Sequence, residues 1–543
     1  MAAIHNKVVY GGPALCIPAH LNFGQHILDT FKTICEEEAD RVAIINGETG
    51  ENTTYIKLLQ DLVDFGTGLK KLGVKRGDIV ALCSENRTEY LVAGIAAITC
   101  GACITPLSTH YTKDEMIHAL NISKPNILIS SEVVNQASYS TFKSLPFIKT
   151  VIQLNGVPKQ SNVLSYKDIA IPTSIQDYEV ADVQGWTDVC YLLYSSGTTG
   201  LPKGVMLTHV NVLYSVSNFS VEDGSYPDLI LLTIVPWYHA YGLMSTVNYL
   251  ACKKKLVYLT GFNPHTYLNA IQEYKVNVLL AVPPIVVYLG KSPLTSKYDL
   301  SSVLIVFCGA APLTSETISD ALKSLPSCLG VFQAYGMTET SLAATTDKDF
   351  EKSKSGSAGY PINGVKAKVV DIETRQKLDC YESGEVCLKG PVTMKGYAGN
   401  DAATRDIFDE EGYLKTGDIG YYDKDGCFFV IDRLKELIKY KSNQVPPAEV
   451  ESVLLECPGV AECAVVGAPD EAAGELPTAF VVPKQNARLT HKEVIEFAAS
   501  RLSYHKRLHG GVIFVDSIPK NPSGKILRRV LRQQLAQKQK SKI

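Results

Sequence analysis

Segments with helical and strand-like hydrophobic patterns alternate along most of this sequence. Residues 66–107, GTGLKKLGVKRGDIVALCSENRTEYLVAGIAAITCGACITPL, predict a helix, a strand, a second helix and a second strand. Residues 265–289, HTYLNAIQEYKVNVLLAVPPIVVYL, repeat the alternation. Between residues 360 and 430 the pattern changes to short strands separated by turns, which is antiparallel in character. The sequence therefore predicts an α/β fold in which helices cover parallel sheets and a β-rich part follows.

The pattern changes again after Arg433. Residues 448–470 predict a helix, a Pro-Gly turn and a strand, residues 490–502 a helix, and residues 511–519 a strand. About 110 residues with their own apolar faces are enough for a small α+β domain, and the chain of 543 residues is too long for one ordinary domain. We expect an N-terminal domain of residues 1–432 and a C-terminal domain of residues 433–543.

Composition and charge narrow the class of protein. Hydrophobic residues make up 45% and charged residues 20% of the chain, and 53 basic against 56 acidic side chains give a net charge of −3. This balance is typical of a soluble globular protein and predicts no nucleic-acid partner. No apolar run reaches the ~18 residues that a membrane span needs, so we expect no transmembrane segment. The basic residues of KILRRVLRQQLAQKQKSK, near the end, are expected to cover a solvated helix.

The cysteines indicate a reducing compartment. There are 14, scattered along the chain, and the opening residues MAAIHNKVVYGG contain no apolar signal segment. Scattered cysteines in such a chain are typical of free thiols. One C-x-x-C pair, Cys100 and Cys103, has apolar neighbours and no second Cys/His pair at zinc spacing, so we expect no metal site there.

The densest polar cluster is YSSGTTGLPKGV, Tyr194 to Val205. It follows the apolar run DVCYLLY, a predicted strand, and precedes HVNVLYSVSNF, a predicted helix with Thr208 as its cap. Glycines let backbone N–H groups approach an anion, hydroxyls add donors, and a lysine adds a positive charge, so the segment suits phosphate binding. Its glycine spacing matches neither a P-loop nor a dinucleotide-binding turn, and an ordinary surface turn has the same composition.

Four further stretches contain residues that suit nucleotide chemistry. In QAYGMTE, Glu339 follows a tight turn and suits Mg²⁺, which prefers oxygen ligands. In YLKTGDIGYYDKDG, Asp418 suits a ribose diol, whereas Asp423 and Asp425 are expected in a hairpin turn. DRLKELIKYKSNQVPPAE lies on the predicted domain boundary, and IPKNPSGKILRR contains a loop that ends at Lys525, which could reach into a cleft. Each stretch alone is also compatible with a solvated turn or linker.

Taken in order, the five stretches resemble the signature motifs of the acyl-adenylate-forming superfamily. The resemblance to acyl-CoA synthetases, 4-coumarate–CoA ligases and beetle luciferases extends over almost the whole chain, with SSGTTGLPKGV as the phosphate loop and YGMTE, TGDIGYYDKDG, DRLKELIKYK and NPSGK in the family's order. KYDLSSV, AGELPTAFVV and HGGVIFVDSIPK are most similar to the insect luciferase-like branch. The resemblance implies a large N-terminal domain of stacked α/β subdomains plus a β-barrel-like part, with a small mobile α+β C-terminal domain.

The resemblance also implies a site for ATP. The residues that match the family's phosphate loop are Ser195, Ser196, Gly197, Thr198, Thr199, Gly200 and Lys203. Those that match its adenine pocket are Gly309, Ala310, Ala311, Pro312, Gln333, Ala334 and Tyr335. By the same match Thr338 touches the α-phosphate and Glu339 coordinates Mg²⁺. Asp418, supported by Arg433, holds the ribose hydroxyls.

By resemblance, the chain activates a carboxylic acid in two steps. The acid first attacks ATP to give acyl-AMP and pyrophosphate, and Lys525 matches the family's adenylation lysine. The C-terminal domain then turns about Lys435 and presents the face of Lys439 and Gln444, where coenzyme A takes the acyl group and AMP is released. Ser442 stands where the family usually has a glycine beside coenzyme A.

The expected acyl tunnel is mostly apolar, which suits a medium- or long-chain fatty acid. Its residues, by resemblance, are Ala240, Tyr241, Gly242, Gly336, Met337, Leu342 and Ala343. His239, in PWYHAYG, is expected between the acyl and nucleotide sites. Leu342 and Ser215 stand where beetle luciferases typically have a serine and an arginine.

Rival functions stay open beside a fatty acyl-CoA synthetase. A luciferase adenylates luciferin and then oxidises it with O₂. A 4-coumarate-type ligase acts on an aromatic acid, which Tyr241 would favour by narrowing the tunnel. A catalytically silent nucleotide-binding relative is disfavoured because the phosphate- and cation-binding positions are all filled.

The last three residues suggest a location. Ser541-Lys542-Ile543 is a conservative variant of the Ser-Lys-Leu peroxisomal address. We therefore expect the peroxisomal import receptor as a partner and the peroxisome as the compartment, with the cytoplasm as the alternative.

Overall fold

A computed structural model describes residues 3–195, 202–219, 229–309, 313, 315–347, 353–354, 356–441, 443–470, 472–485, 487–520 and 526–540. Three β-sheets and the helices on them are built from the chain up to Arg433, and a fourth sheet is built from the chain after it. The architecture is α/β with a large N-terminal part and a small C-terminal part, which confirms the predicted fold class.

Helices lie in each of the segments in which the sequence predicts them, such as residues 66–107, 265–289, 448–470 and 490–502. Within the described residues they are α1 Phe23–Glu37, α2 Tyr55–Lys71, α3 Thr88–Thr99, α4 Lys113–Ser123, α5 Glu132–Lys143, α6 Tyr166–Ile169, α7 His209–Phe219, α8 Ala240–Ala251, α9 Pro264–Tyr274, α10 Pro283–Lys291, α11 Ser315–Lys323, α12 Asp401–Ile407, α13 Pro447–Leu455, α14 His491–Arg501 and α15 Arg528–Lys540. Short 3₁₀ turns cover Pro293–Lys297, Thr338–Thr340 and Tyr504–Lys506. None of the helices described is both long and apolar enough to span a bilayer.

The strands are short, as the turn signals between them indicate. In the described residues they are β1 Ala3–His5, β2 Val8–Tyr10, β3 Val42–Asn46, β4 Asn52–Thr54, β5 Ile79–Cys83, β6 Cys103–Pro106, β7 Ile127–Ser130, β8 Thr150–Gln153, β9 Val163–Ser165, β10 Val189–Ser195, β11 Lys203–Thr208, β12 Ile230–Thr233, β13 Lys255–Tyr258, β14 Val278–Ala281, β15 Ile305–Cys308, β16 Gly330–Tyr335, β17 Thr345–Thr346, β18 Tyr360–Pro361, β19 Lys366–Val370, β20 Gly384–Lys389, β21 Gly396–Tyr397, β22 Leu414–Tyr422, β23 Phe428–Arg433, β24 Ile438–Tyr440, β25 Asn443–Val445, β26 Val460–Asp470, β27 Gly474–Pro483 and β28 Val512–Phe514.

The first sheet has eight strands in the order β21-β11-β10-β6-β5-β7-β8-β9. The strands from β10 to β9 are parallel, and β11 and β21 join antiparallel at one edge. Strands β6 and β7 are buried along their whole length, as expected for parallel strands with helices on both faces. The antiparallel edge carries the two ends of the predicted phosphate loop.

The second sheet has nine strands in the order β18-β17-β16-β15-β14-β12-β13-β3-β4. Its six central strands are parallel, and short antiparallel strands flank them. Gly309 and Gly336 directly follow β15 and β16, at the carboxyl ends of parallel strands, where ligands usually bind. One hydrophobic core that includes Phe31, Trp237 and Tyr267 joins this sheet to the first.

The third sheet is antiparallel and has the order β1-β2-β19-β20-β22-β23. It corresponds to the β-barrel-like part that the resemblance implies, but among the described strands its edge strands, β1 and β23, do not pair with each other, so this sheet is open and is not a closed barrel. Asp423 lies in the hairpin between β22 and β23, where its Oδ1 accepts from Asp425 N at 2.9 Å and from Cys427 N at 3.0 Å. The prediction that these aspartates form a hairpin turn is confirmed.

The fourth sheet follows the predicted hinge. Its strands are ordered β25-β24-β27-β26, with β28 beside β27. Two apolar clusters cover its faces, one with α13 and α14 and the other with α15. Strand β23 of the third sheet ends at Arg433 and β24 begins at Ile438, so the chain changes sheets beside the predicted boundary. The exact domain limits stay a prediction.

Candidate active site

The predicted phosphate loop connects two antiparallel strands. Ser195 at the end of β10 is the register partner of Lys203 at the start of β11. The strand–loop–helix pattern expected from the sequence is therefore incomplete, because β11 precedes helix α7. Thr208 caps α7 as predicted, since its Oγ1 accepts from Asn211 N at 3.3 Å. Other loop residues, named by the resemblance, lie outside the described residues: Ser196, Gly197, Thr198, Thr199 and Gly200.

Glu339 is the best-defined anionic group near this loop. Its side chain is only 4% exposed, and its Oε1 accepts hydrogen bonds from Ser195 Oγ and from Tyr397 OH, each at 2.9 Å. A buried carboxylate is stable only with such partners. The structure therefore brings together Ser195 and Glu339, which are 144 residues apart in the chain.

Tyr397 is a site residue that the motifs did not indicate. The Lys203 ammonium lies over its ring, 4.8 Å from the centroid, within the range of a cation–π contact. Burial and the neighbouring Glu339 carboxylate raise the pKa of Tyr397, so its hydroxyl stays protonated and acts as a donor. No local pattern in the sequence indicates this residue, because the contact depends on β21 pairing with β11.

The segment from Gly336 to Leu342 is a tight turn that presents Thr338 and Glu339. A Cβ on Gly336 would lie 1.7 Å from the Leu342 carbonyl oxygen, so only glycine fits there. Met337 N donates to Thr340 Oγ1 at 2.9 Å, which closes the turn. Ser341 has φ 58° and Leu342 has φ 138°, both in the region that favours glycine. The turn is therefore closed by these contacts, although Ser341 and Leu342 adopt unfavourable backbone conformations.

Asp418 forms a second buried carboxylate centre. Its Oδ2 accepts from Tyr335 OH at 2.6 Å, and Arg433 Nε lies 3.3 Å from its Oδ1. Asp418 and Arg433 are register partners on β22 and β23, which explains their pairing. Burial and Asp418 together raise the pKa of Tyr335, so the phenol stays neutral. Tyr335, expected in the adenine pocket, thus also contacts the group expected to hold the ribose.

The other adenine-pocket residues that the structure describes lie on or directly after two adjacent parallel strands, β15 and β16. Cys308, which precedes Gly309, is the register partner of Gln333, and Ala334 follows on the same strand. Gln333 Oε1 accepts from Leu313 N at 3.1 Å, which anchors the chain after β15 to β16. Ala310, Ala311 and Pro312 lie outside the described residues.

Tyr241 connects the expected acyl and adenine sides. Its hydroxyl donates to the carbonyls of Ala281 at 3.1 Å and Phe307 at 3.2 Å. A Cβ on Gly309 would lie 3.0 Å from its ring. The ring is therefore fixed under Gly309. Close packing also holds Gly242, where a Cβ would come within 2.4 Å of the Pro236 carbonyl oxygen.

His239 precedes helix α8 and occupies its N-cap position. Burial, with a smaller contribution from His110, lowers the pKa of His239 to about 4. The imidazole is therefore neutral at physiological pH. A neutral ring beside the expected acyl tunnel suits contact with an uncharged acyl group better than an imidazolium would.

Ser215 and Leu342, the two positions expected from the resemblance to differ from beetle luciferases, lie close together in space. Ser215 Oγ donates to the carbonyl of Ser341, which precedes Leu342, at 3.2 Å. Asn248 Nδ2 donates to the same Ser215 Oγ at 3.3 Å. The Ser215 hydroxyl is therefore engaged by protein groups. Met337 and Leu342 pack against the main hydrophobic core, and Ala343 follows on the same segment.

The predicted coenzyme A face lies on a hairpin of the fourth sheet. Lys439 on β24 and Gln444 on β25 are direct register partners, and both are exposed. Lys435, the predicted hinge, is also exposed and lies between β23 and β24. Ser442, Lys525 and the terminal residues Ser541, Lys542 and Ile543 lie outside the described residues. The roles of Lys439, Lys525 and Lys435 stay predictions.

A buried ionic cluster beside the predicted hinge was missed by the sequence analysis. Arg528 Nη2 lies 2.9 Å from Glu451 Oε2, and Arg528 Nε lies 3.1 Å from Glu436 Oε2. Asp432 Oδ2 accepts from Ala448 N at 2.7 Å, at the start of helix α13. Burial raises the pKa of Glu451 to about 7, although Arg528 opposes that shift. The cluster joins residues on both sides of Lys435.

Glu339 fits a site for Mg²⁺ that is completed by substrate oxygens. Within the described ranges no group of three or more histidine, cysteine, aspartate or glutamate side chains could hold a metal by itself. Mg²⁺ commonly binds through one or two carboxylates plus nucleotide phosphates. A buried carboxylate whose two protein donors share one oxygen matches that requirement.

Comparisons with known proteins match most of the chain. The family model described as AMP-binding enzyme matches residues 31–398, and the model described as AMP-binding enzyme C-terminal domain matches residues 449–525. The chain belongs to the AMP-binding enzyme family. This family member is 40% identical over 506 residues to the luciferin 4-monooxygenase of Nipponoluciola cruciata, with 91% of each chain covered.

Two further relatives extend the comparison. The enzyme is 36% identical over 534 residues to 4-coumarate–CoA ligase 3 of Arabidopsis thaliana, with 96% of this chain and 93% of that one covered. The structure of ATP-bound MatB from Rhodopseudomonas palustris is similar with a TM-score of 0.83 at 28% identity, covering 93% of this chain and 98% of that one. The enzyme is thus a member of the adenylate-forming acyl- and aryl-CoA ligase superfamily.

Proposed function

We propose that this enzyme is an ATP-dependent acyl-CoA synthetase that acts on medium- or long-chain fatty acids. The observation that carries the choice of acid is the pair Ser215 and Leu342. Leu342 has no hydroxyl, and the Ser215 hydroxyl already donates to the Ser341 carbonyl. A polar heterocycle would therefore find no free hydroxyl partner at either position.

The energies favour an alkyl chain at this place. Each buried CH₂ contributes about 0.8 kcal/mol. A polar group left without a partner in the same place costs about 1–3 kcal/mol. Both effects favour a fatty acid over luciferin.

In the first step, a carboxylate oxygen of the acid attacks the α-phosphorus of ATP and pyrophosphate leaves. Lys203 and Lys525 supply positive charge for the phosphates, Thr338 donates to the α-phosphate, and the Asp418–Arg433 pair holds the ribose. Such positioning and charge are the main contributions that a protein makes to phosphoryl chemistry. Bound Mg²⁺, which Glu339 would hold, supplies further charge neutralisation on the phosphates.

In the second step, the thiol of coenzyme A loses its proton to solvent and its sulfur attacks the acyl carbonyl carbon. The bond to AMP breaks and AMP leaves. The proposed rotation about Lys435 replaces Lys525 by the face of Lys439 and Gln444, so one acyl site serves both reactions. The neutral His239 stays beside the acyl group in both.

A luciferase and an aromatic acid ligase are the alternative functions, because the relatives of this chain include both kinds of enzyme. The 40% identity to a luciferin 4-monooxygenase supports a luciferase, and the 36% identity to a 4-coumarate–CoA ligase supports an aromatic acid ligase. All three functions share the adenylation step. They differ in the acid, and the luciferase also differs in its second step, because it oxidises the adenylate with O₂ instead of forming a thioester.

Pyrophosphate release against a panel of acids tests the proposal. We expect release with medium- and long-chain fatty acids, with the rate rising with chain length until the tunnel is filled. Cinnamic acids and luciferin serve as the competing substrates. Release with cinnamic acids or luciferin alone contradicts the proposed substrate class.

Peroxisomal import through Ser541-Lys542-Ile543 belongs to the same proposal. A fluorescent fusion that carries the last dozen or so residues checks it. We expect peroxisomal fluorescence that is lost when the three residues are removed, and diffuse fluorescence in both cases contradicts the location.

A further inference from the structure

Tyr397 contacts two predicted ATP-site residues at once. Its hydroxyl donates to Glu339 Oε1 at 2.9 Å, and its ring lies under the Lys203 ammonium, 4.8 Å from the centroid. The residue itself is 4% exposed. None of the five signature motifs contains Tyr397.

The backbone around Tyr397 is anchored to the same groups. Tyr397 is the register partner of Val205 on β11, two residues after Lys203. Tyr397 N donates to Thr404 Oγ1 at 2.9 Å. Met394 N donates to the main-chain carbonyl of Glu339 at 2.8 Å. These contacts hold Tyr397 in place beside both the Glu339 carboxylate and the Lys203 ammonium.

Within the described part of the chain, the hydrogen bonds to the Glu339 side chain all reach the same one of its two oxygens. Ser195 Oγ and Tyr397 OH both donate to Oε1. Among the described residues, no donor lies within hydrogen-bonding distance of Oε2. A carboxylate held by one oxygen keeps its other oxygen for an outside partner, and groups that hold a metal ligand in this way typically change metal affinity 10- to 100-fold, by order of magnitude, when removed.

We propose that Tyr397 is a positioning residue for adenylation. Its hydroxyl orients the Glu339 carboxylate, which sets how tightly the site takes up Mg²⁺ with ATP, and its ring holds Lys203 for the phosphates. This inference rests on the proposed use of ATP and Mg²⁺. Tyr397 lies outside the motifs, and its hydroxyl and its ring act on two different groups of the site.

Three variants separate the two contacts from a general loss of stability. Tyr397→Phe keeps the ring and removes only the hydroxyl. Tyr397→Leu removes both. Tyr422→Phe is the matched control, because Tyr422 is also fully buried and its hydroxyl donates to the Leu378 carbonyl at 3.2 Å, in the third sheet.

The first readout needs no acid and no turnover. The melting temperature of each full-length variant is measured at fixed ATP while Mg²⁺ is titrated, and then at increasing ATP without Mg²⁺. We expect Tyr397→Phe to raise the Mg²⁺ midpoint about 10-fold and to leave the Mg²⁺-free ATP midpoint unchanged. Tyr397→Leu should also raise the ATP midpoint by about 3- to 10-fold.

The second readout is pyrophosphate release with a fatty acid. For Tyr397→Phe we expect the same ~10-fold rise in the Mg²⁺ concentration for half-maximal rate, with the KM for the acid unchanged. Tyr422→Phe should change neither Mg²⁺ midpoint.

Two results would overturn the inference, and they are distinguishable. If Tyr397→Phe lowers the melting temperature as Tyr422→Phe does but leaves both Mg²⁺ midpoints within twofold, Tyr397 has only a structural role. If ATP with Mg²⁺ fails to stabilise even the unmodified protein, the inference and the proposed function fall together.

Discussion

At the scale of single residues, the candidate site is organised around buried carboxylates that accept from hydroxyl groups. Glu339 accepts from Ser195 and Tyr397, and Asp418 accepts from Tyr335 while Arg433 lies beside it. Such groups are stable in the interior only when their partners are present. Replacing one of them should therefore change both ligand binding and stability, and a matched control separates the two effects.

Asp418→Asn should weaken ATP binding about 10-fold or more. The amide removes the negative charge opposite Arg433 and one of two acceptor oxygens, and a lost charged hydrogen bond costs about 1–3 kcal/mol. Titration of ATP in the pyrophosphate assay measures the effect. Asp423→Asn is the control, because Asp423 is equally buried but pairs with Lys354 at 2.5 Å in a hairpin. An equal loss of ATP affinity in both variants would show that Asp418 acts only through stability.

Leu342→Ser should shift substrate preference towards polar acids. The change removes apolar contact worth about 2–3 kcal/mol and adds a hydroxyl. We expect kcat/KM for a long-chain acid to fall by about 10-fold or more and adenylation of luciferin to rise. Parallel assays of pyrophosphate release with the two acids measure the shift. Leu342→Met, which keeps the apolar volume, is the control, and an unchanged ratio of the two rates in Leu342→Ser would contradict the proposed pocket.

At the scale of elements, the sequence predicted the helices and strands well wherever hydrophobic periodicity was strong. The order α2, β5, α3, β6 and the start of α7 agree with the predictions. Strand β11 was missed because its six residues directly follow a glycine-rich loop and directly precede a helix, so no turn signal separates them. Its place in the sheet depends on pairing with β10 and β21, which is tertiary information.

The candidate site was predictable only as far as the motifs reach. Ser195 and Glu339 were both named from motifs, but their hydrogen bond depends on how two sheets pack. Tyr397 and the ionic cluster around Arg528 carry no local signal, because a buried tyrosine or arginine in a sequence is indistinguishable from one on the surface. The partners of such groups come from residues more than 50 positions away, as Tyr397–Glu339 and Arg528–Glu451 do.

The ionic cluster makes stability depend on pH in a direction that can be worked out. Burial raises the pKa of Glu451 from its ordinary value of 4.5 to about 7. Because the folded protein binds this proton more tightly than the unfolded chain, the contribution is fully present below pH ~4.5 and is lost as the pH rises to about 7. Glu451→Gln keeps an oxygen for Val465 N and cannot ionise.

The variant should therefore remove part of the pH dependence. Between pH 5 and 7.5, the free energy of unfolding of the unmodified protein should fall as Glu451 ionises. We expect the fall in Glu451→Gln to be smaller by about 1–3 kcal/mol. Denaturant unfolding at several pH values measures the slope. Glu462→Gln is the control, because Glu462 is more exposed and pairs with Lys520. Identical slopes in all three proteins would show that Glu451 does not titrate in this range.

At the scale of the whole molecule, the proposed rotation of the C-terminal domain assigns two lysines to different half-reactions. We expect Lys525→Ala to lower acyl-AMP formation by about 10²–10³, as loss of a donor to developing charge does, and to leave conversion of supplied acyl-AMP to acyl-CoA largely intact. Lys439→Ala should do the reverse. Single-step assays with ATP or with synthetic acyl-AMP measure each half. Equal loss of both halves in Lys525→Ala would reject the assignment.

The product formed by the unmodified enzyme distinguishes a fatty acyl-CoA synthetase from a luciferase. One preparation is given ATP, Mg²⁺, coenzyme A and O₂ with either dodecanoic acid or luciferin, and acyl-CoA is measured by mass spectrometry while light is counted. We expect abundant dodecanoyl-CoA from dodecanoic acid and at most faint light from luciferin. Strong light from luciferin, with no thioester from any fatty acid, would contradict the proposed function.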